Sequence, residues 1–140
     1  MRLYLEPSVL VKLFKREPGS EKMISIIDVR RDWFGCTSRW SLLEIARALK
    51  KDGKTRELVE LDLKELRRHK LSFIDVTRAI ISEAESIRAS HNLYASDALH
   101  VATFESGIRS RRLDAMLTDD LHIQRLEGIA KVVSLKEISI

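Results

Sequence analysis

Apolar positions along this chain follow two rhythms: short runs, and longer stretches with an apolar residue every third or fourth place. The runs Leu3-Tyr4-Leu5, Trp33 to Thr37, Leu71 to Val76, Ala115 to Leu117 and Lys131 to Leu135 predict strands, the first almost at the N-terminus. The stretches between them predict helices. Pro7 and Ser8 close the first strand, with Ser8 the expected N-cap of a helix through Val9, Leu10, Leu13 and Phe14. Pro18-Gly19-Ser20 breaks that helix, and Ser20 opens another carrying Met23, Ile24, Ile27 and Val29. The clearest helix runs from Ser38 to about Lys51, where Leu42, Ile45, Ala46 and Leu49 recur at i, i+3, i+4 and i+7. Asp52-Gly53 ends it. The next helix is expected to turn Leu58, Leu61 and Leu66 inward, with Lys64, Arg67 and Arg68 outward. Thr77 caps a helix carrying Ile80, Ile81, Ala84 and Ile87. After a turn at His91-Asn92-Leu93, Ser96 caps one through Ala98, Val101, Ala102 and Phe104 that ends at Gly107. A short helix from Asp119 to Leu126 precedes the last strand.

Strands alternating with helices predict a three-layer α/β/α sandwich around a mainly parallel sheet of about five strands, with residues 1–140 forming one domain. In such sheets ligands bind beyond the carboxyl ends of the strands, so the residues just after each strand carry the functional question.

Composition narrows the classes. A chain of 140 residues, 44% hydrophobic and 33% charged, can bury one sizeable core and is not a disordered segment. A formal net charge of +4 leaves room for a polyanionic partner. Cys36 is the single cysteine, which excludes an intrachain disulfide, and the four histidines show no zinc-ligand spacing. No apolar run approaches the roughly 20 residues of a membrane span, and the opening residues are too short a run for a secretory signal. A cytoplasmic location without membrane attachment is the expectation.

Carboxylates fall where the sheet rule looks for them. Glu6 follows the first strand, Glu44 lies in the helix after the second, Asp97 opens the helix before the fourth, and Asp119 and Asp120 follow the fourth. Taken singly, each has an ordinary reading: a solvated turn for Glu6, an i, i+3 pair with Arg47 for Glu44, a first-turn dipole partner for Asp97 and Asp119. The neighbours argue otherwise. Asp97 shares its helical face with His100, Val101 and Phe104, and Glu44 lies between Trp40 and Ala48, so neither stripe is plainly polar. A carboxylate on such a face needs a partner. If the first and fourth strands are neighbours, Glu6 and Asp120 share one crevice. Converging carboxylates repel, and a divalent cation reverses that penalty; all-oxygen donors suit Mg²⁺ or Mn²⁺.

The segment Tyr4-Leu5-Glu6-Pro7-Ser8-Val9-Leu10-Val11-Lys12-Leu13-Phe14 resembles the opening signature of PIN-domain nucleases, including the VapC toxins. Leu42-Leu43-Glu44-Ile45-Ala46-Arg47-Ala48-Leu49 resembles their second motif, Tyr94 to Ala102 their third, and Met116-Leu117-Thr118-Asp119-Asp120 their fourth. Each motif alone is weak; the four in order span essentially the whole chain. The resemblance implies a metal-dependent endoribonuclease in which Glu6, Glu44, Asp97 and Asp120 hold one or two Mg²⁺ or Mn²⁺ ions. It makes Asp119 an auxiliary acid, and Ser8 and Thr118 hydroxyls that orient the acids. It also implies a homodimer held inactive by a small VapB-like antitoxin. Glu6 departs from the Asp usual in the family, and Pro7 from the frequent Thr; Glu6 moves the carboxylate by about one bond, and Mg²⁺ tolerates such error poorly.

In this reading an ion-activated water attacks the RNA phosphodiester, and no nucleophilic side chain is needed, since Cys36 and the serines lack a convincing His partner. Phosphate contact is expected from Lys12, Lys15, Arg16, Arg47, Lys51 and Arg111, with Lys50, Lys54, Arg109 and Arg112 nearby in sequence. His100 and His122 are expected to be packed or hydrogen-bonded rather than catalytic. Trp40, Leu58 and Leu61 are expected in the core, with a groove for an antitoxin segment as the second reading. The alternative function is a PIN-like domain that binds RNA or protein with catalysis impaired, which Glu6 and Pro7 favour. A phosphotransfer enzyme on a doubly wound sheet ranks third, because the chain lacks a Gly-rich phosphate cradle.

Overall fold

A computed structural model describes residues 1–28, 32–119 and 123–138. In chain order the elements are β1 (Arg2–Leu5), α1 (Pro7–Leu10), α2 (Ser20–Asp28), β2 (Phe34–Ser38), α3 (Ser41–Lys51), α4 (Arg56–Arg68), β3 (Leu71–Ile74), α5 (Arg78–Ser90), α6 (Ala95–Arg111), β4 (Ala115–Thr118), α7 (Ile123–Leu126) and β5 (Val132–Ser134). A 3-10 turn, Val11–Leu13, continues α1. The strands form one five-stranded sheet in the order β3-β2-β1-β4-β5, and every pairing is parallel.

Alternation along the strands builds the layers. In β1, Leu3 and Leu5 face a core shared with Leu10, Met23, Ile45, Leu49 and Leu66, so α1 to α4 cover that side. Tyr4 faces the opposite core with Cys36, Met116, Ile80, Ala84, Val101 and Phe104, so α5 and α6 cover the other. β4 repeats the pattern, Ala115 and Leu117 one way and Met116 the other. The three-layer parallel sandwich expected from the sequence is the fold observed.

Several local expectations are corrected. The cap of α1 is Glu6, not Ser8: its carboxylate accepts the backbone N–H of Ser8, and Pro7 takes the first helical position, where its missing N–H costs nothing. Helix α6 begins at Ala95 without a side-chain cap from Ser96. It also runs through Gly107 to Arg111. Gly107 serves close packing instead, since a Cβ there would stand 2.4 Å from Leu113 Cδ1. In α4 the buried residues are Val59 and Leu66, with Leu63 partly buried, while Leu58 and Leu61 are exposed. The inward stripe is thus i, i+4, i+7 from Val59. Trp40 is likewise exposed. Ile24 and Ile81 point outward, and Ile26, Ile80, Ala84 and Ile87 take the core positions of their helices. The expectation for Val29 lies outside the described residues. Thr77 caps α5 as expected, accepting the Ile80 N–H at 3.2 Å.

Ile45 is fully buried where α3 meets the sheet. Ile45→Ala is expected to lower unfolding stability by about 2–5 kcal/mol, read as an earlier urea midpoint with unchanged slope.

Candidate active site at the carboxyl end of the sheet

The strand order places β1 in the centre, with β2 and β3 on one side and β4 and β5 on the other. The order therefore reverses between β1 and β4, and connections leaving those two strands diverge, opening a crevice at their carboxyl ends. Glu6 sits there. Its backbone N–H donates to Leu117 O at 3.0 Å, extending the β1–β4 ladder to the residue itself. The side chain is buried, and its Oε2 accepts from the Ser8 N–H at 3.2 Å, from Ser8 Oγ, and from Thr118 Oγ1 at 3.2 Å. Ser8 Oγ in turn accepts the Asp119 N–H at 3.2 Å. The two hydroxyls thus tie the ends of β1 and β4 around one carboxylate.

Glu44 enters from the first turn of α3 and remains partly exposed. His100, on α6, places Nε2 2.5 Å from Glu44 Oε1, and its Nδ1 lies 2.6 Å from the hydroxyl of Tyr4. Tyr4 and His100 are both buried. Burial holds the Tyr4 phenol's pKa well above its ordinary value, so the hydroxyl keeps its proton. Donated to Nδ1, that proton fixes the tautomer that offers Nε2–H to Glu44. The chain Tyr4–His100–Glu44 passes from the sheet through α6 to the cleft.

Asp97 lies one turn before His100 and is 7% exposed. Arg125, on α7, sets Nε 3.2 Å from Asp97 Oδ2 and donates from Nη2 to Oδ1 at 3.4 Å. Oδ2 is buried and makes no hydrogen bond. It has a charge opposite it at an angle no hydrogen bond accepts. Asp119 stands at the cleft mouth, its Oδ2 3.9 Å from Lys12 Nζ. Asp120 and His122 lie outside the described residues.

Glu6, Ser8, Glu44 and Asp119 line one open cleft of about 300 Å³, together with Glu17, which the sequence did not single out. The fit of a divalent ion is mixed. The donor chemistry suits one: carboxylate and hydroxyl oxygens, and the buried Asp97 Oδ2 without a hydrogen bond. Among the described residues, no group of three His, Cys, Asp or Glu side chains stands close enough to hold a metal ion. A complete set therefore needs movement of these acids or a donor outside the described residues.

The basic residues divide. Arg16, Arg47, Lys50 and Lys51 are exposed, and Lys15 pairs with Asp52 at 3.5 Å. Lys12 is buried, its ammonium bound to Glu17 Oε1 at 3.1 Å and Pro18 O at 2.9 Å. Lys54 donates to Asp62 and to Phe14 O. Arg111 donates to Ser72, and its carbonyl accepts from Arg2 Nε at 2.7 Å. Arg2 begins β1, so Arg111 lies at the amino end of the sheet, away from the cleft. Lys12 is thus held by ion pairing at the cleft mouth, and Arg111 stands at the opposite end of the sheet from the cleft. The Cys36 thiol, buried, is pushed up to about 12 and has no nucleophilic character at neutral pH. Besides Glu17, sequence reasoning missed Tyr4 as a partner of His100 and Arg125 as a partner of Asp97. A hydroxyl on an otherwise apolar central strand was the available signal for Tyr4; nothing in the local pattern signals Arg125.

Fold and site together define the class. The chain belongs to the PIN-domain family, whose model matches residues 3–129. No curated protein sequence matches it. Among solved structures, it is similar to a chain of a toxin-antitoxin complex from Klebsiella pneumoniae, with 18% identity, a TM-score of 0.68, and coverage of 97% of this chain and 99% of that one. It is also similar to a chain of VapBC2 from Rickettsia felis bound to a DNA fragment from its promoter, with 14% identity, a TM-score of 0.68 and coverage of 96% and 98%. A chain of FitAcB from Neisseria gonorrhoeae matches with 13% identity, a TM-score of 0.64 and coverage of 97% and 99%. At these identities the likeness is one of fold.

Two outcomes follow from the buried polar groups. Tyr4→Phe leaves His100 Nδ1 without its partner and is expected to cost about 1–3 kcal/mol in a urea titration. The folded state also retains a Cys36 proton, held to about 12 against an ordinary 9.0, that the unfolded chain loses earlier. Stability contributed by that thiol is full below pH 9.0 and is lost as pH rises toward about 12, with Tyr4 adding to the loss above 10.0. Cys36→Ala is expected to shift the alkaline unfolding midpoint upward.

Proposed function

We propose that this protein is a Mg²⁺- or Mn²⁺-dependent endoribonuclease acting as the toxin of a toxin–antitoxin pair. The observation that carries the reading is the cleft at the β1–β4 reversal, lined by Glu6, Glu44 and Asp119, with Glu44 held by His100, which lies one helical turn after the buried, incompletely bonded Asp97. Membership of the PIN family supports nuclease chemistry. The likeness to chains from toxin-antitoxin complexes supports the partner.

Glu6, Asp97 and Asp120 would hold the ion, with Glu44 at a second position or on a water; Asp120 enters from the sequence motif. The bound ion would neutralise charge on a phosphodiester oxygen and lower the pKa of the attacking water. The protein's own groups prepare the site. Ser8 and Thr118 fix the Glu6 carboxylate against the strand ends. His100, held by Tyr4, fixes Glu44. Exposed Arg16, Arg47 and Lys51 and half-buried Lys15 are the phosphate contacts of this reading, with Lys12 steadying the mouth through Glu17 and Asp119. Exposed Trp40, Leu58 and Leu61 offer apolar surface to a VapB-like antitoxin or a second copy of the chain. Among the described residues no helix is long and apolar enough to cross a membrane.

A second reading, a PIN domain that binds without cutting, draws on one observation: Glu6 Oε2 is already engaged by Ser8 and Thr118 and caps α1. Cleavage of a mixed structured and single-stranded RNA pool separates the two. Cutting is expected with Mn²⁺ or Mg²⁺, none with EDTA, and a loss of at least about 100-fold in Asp97→Asn, whose circular dichroism should remain native. Full activity in Asp97→Asn would remove the assignment. Cutting by Glu6→Asp alone would move the native protein to the binding reading.

A further inference from the structure

We infer that Arg125 is a built-in counter-ion that holds Asp97 and competes with a divalent cation for it, so that this chain sets its own metal affinity from α7. The inference rests on the reading of Asp97 as a ligand and adds a device that regulates that site.

A carboxylate as buried as Asp97 is costly without a cation. Arg125 supplies the charge, but its grip is incomplete. Its contacts to the two carboxylate oxygens are 3.2 Å and 3.4 Å, longer than the roughly 2.7–2.9 Å of a strong charge-assisted pair. Oδ2 accepts no hydrogen bond. Asp97 therefore has unused capacity in the protein as it stands.

The two partners differ in freedom. Asp97 lies in the first turn of a long helix whose Ala98, Leu99, His100 and Val101 are all buried, so its backbone cannot give way cheaply. Arg125 sits in a four-residue helix anchored by the buried Leu126, and its side chain is 37% exposed. Its guanidinium lies 5.4 Å from the ring centroid of Tyr94, itself an exposed residue. Withdrawal of this partly exposed side chain over that ring toward solvent would leave the core closed. An incoming ion would displace the side chain and leave the helix in place. Any ion that binds only when Arg125 withdraws has its apparent affinity lowered by the population of the withdrawn state.

The signature is a pair of opposite effects. Removing the guanidinium should weaken the metal-free protein, because Asp97 loses its counter-ion, and strengthen metal binding, because the competitor is gone. A merely structural Arg125 would weaken both. The test is Mn²⁺ titration of the whole chain by calorimetry, with melting temperatures in EDTA and in saturating Mn²⁺, for the native protein, R125Q, R125K and Asp97→Asn. R125Q is expected to melt lower in EDTA, to bind Mn²⁺ about ten-fold more tightly, and to gain more from Mn²⁺ than the native protein does. R125K, which keeps the charge without the fork, should fall between. Equal or weaker Mn²⁺ affinity in R125Q, with native binding that Asp97→Asn abolishes, overturns the inference and leaves the metal site standing. No Mn²⁺ binding by the native protein or by R125Q overturns the metal reading and this inference with it. If R125Q fails to fold, the side-chain Nε–H resonance of Arg125 in the native protein decides. It is expected to shift and broaden as Mg²⁺ saturates the site, and a resonance that stays in place overturns the inference.

Discussion

The parallel pairing of β1 with β4 is the contact on which the rest depends. It brings the first strand, formed almost at the N-terminus, beside one formed more than a hundred residues later, in the register Tyr4 to Met116 and Leu5 to Leu117. Because β2 and β3 stack on the opposite side of β1, this pairing creates the reversal of strand order and the crevice above it. The register reaches one residue past the strand, through the Glu6 N–H and Leu117 O. That single bond decides where the Glu6 carboxylate stands relative to Thr118 and Asp119. A slip of one residue would exchange the faces of Leu3, Tyr4 and Leu5, moving Tyr4 away from His100 as well as emptying the cleft.

The second tie runs perpendicular to the sheet. Tyr4 belongs to the central strand, His100 to the buried helix on one side, and Glu44 to a helix packed on the other. The three side chains join all layers of the sandwich with two short hydrogen bonds at the open end of the sheet. A hydrogen-bonded chain of this kind is expensive to leave half made and directional when complete, so it constrains how α3 and α6 approach each other in a way that apolar packing does not. The residues that would position chemistry are the same residues that fix the layers.

Much of this was legible in the sequence, and the exceptions have physical causes. The five strands, the order of the helices and the parallel layered architecture follow from apolar periodicity, and Glu6, Glu44 and Asp97 stood out because acids at strand ends and on apolar helix faces demand partners. Periodicity failed where two registers fit equally well: in α4, Leu58 and Leu61 compete with Val59, Leu63 and Leu66, and only tertiary contact with the sheet selects the second set. It failed at Gly107 because a glycine inside a helix and one that ends it look alike in one dimension, and the deciding fact is the approach of Leu113. The pairing of Arg125 with Asp97 spans 28 residues and no shared element, so no local pattern could announce it. The basic residues show the same limit. Lys12 and Arg111 look like phosphate contacts in the sequence, whereas one is buried against Glu17 and the other stands at the amino end of the sheet.

The distribution of partners over the acids bears on how such a site can exist before anything binds. Carboxylates gathered at the end of a sheet repel one another, and an unrelieved cluster would oppose folding. Here each described acid has been given its own relief: hydroxyls and a backbone N–H for Glu6, the imidazole of His100 for Glu44, the guanidinium of Arg125 for Asp97, the ammonium of Lys12 for Asp119. These partners differ in how readily they can leave. Ser8 lies in α1, Thr118 ends β4 and His100 belongs to the buried part of α6, so Glu6 and Glu44 are held by partners fixed in the fold. Arg125 is a long, partly exposed side chain, and Lys12 stands 3.9 Å from Asp119 at the limit of an ion pair. Short, fixed contacts on two acids and longer ones on two others relieve the charge of these carboxylates with the protein's own groups.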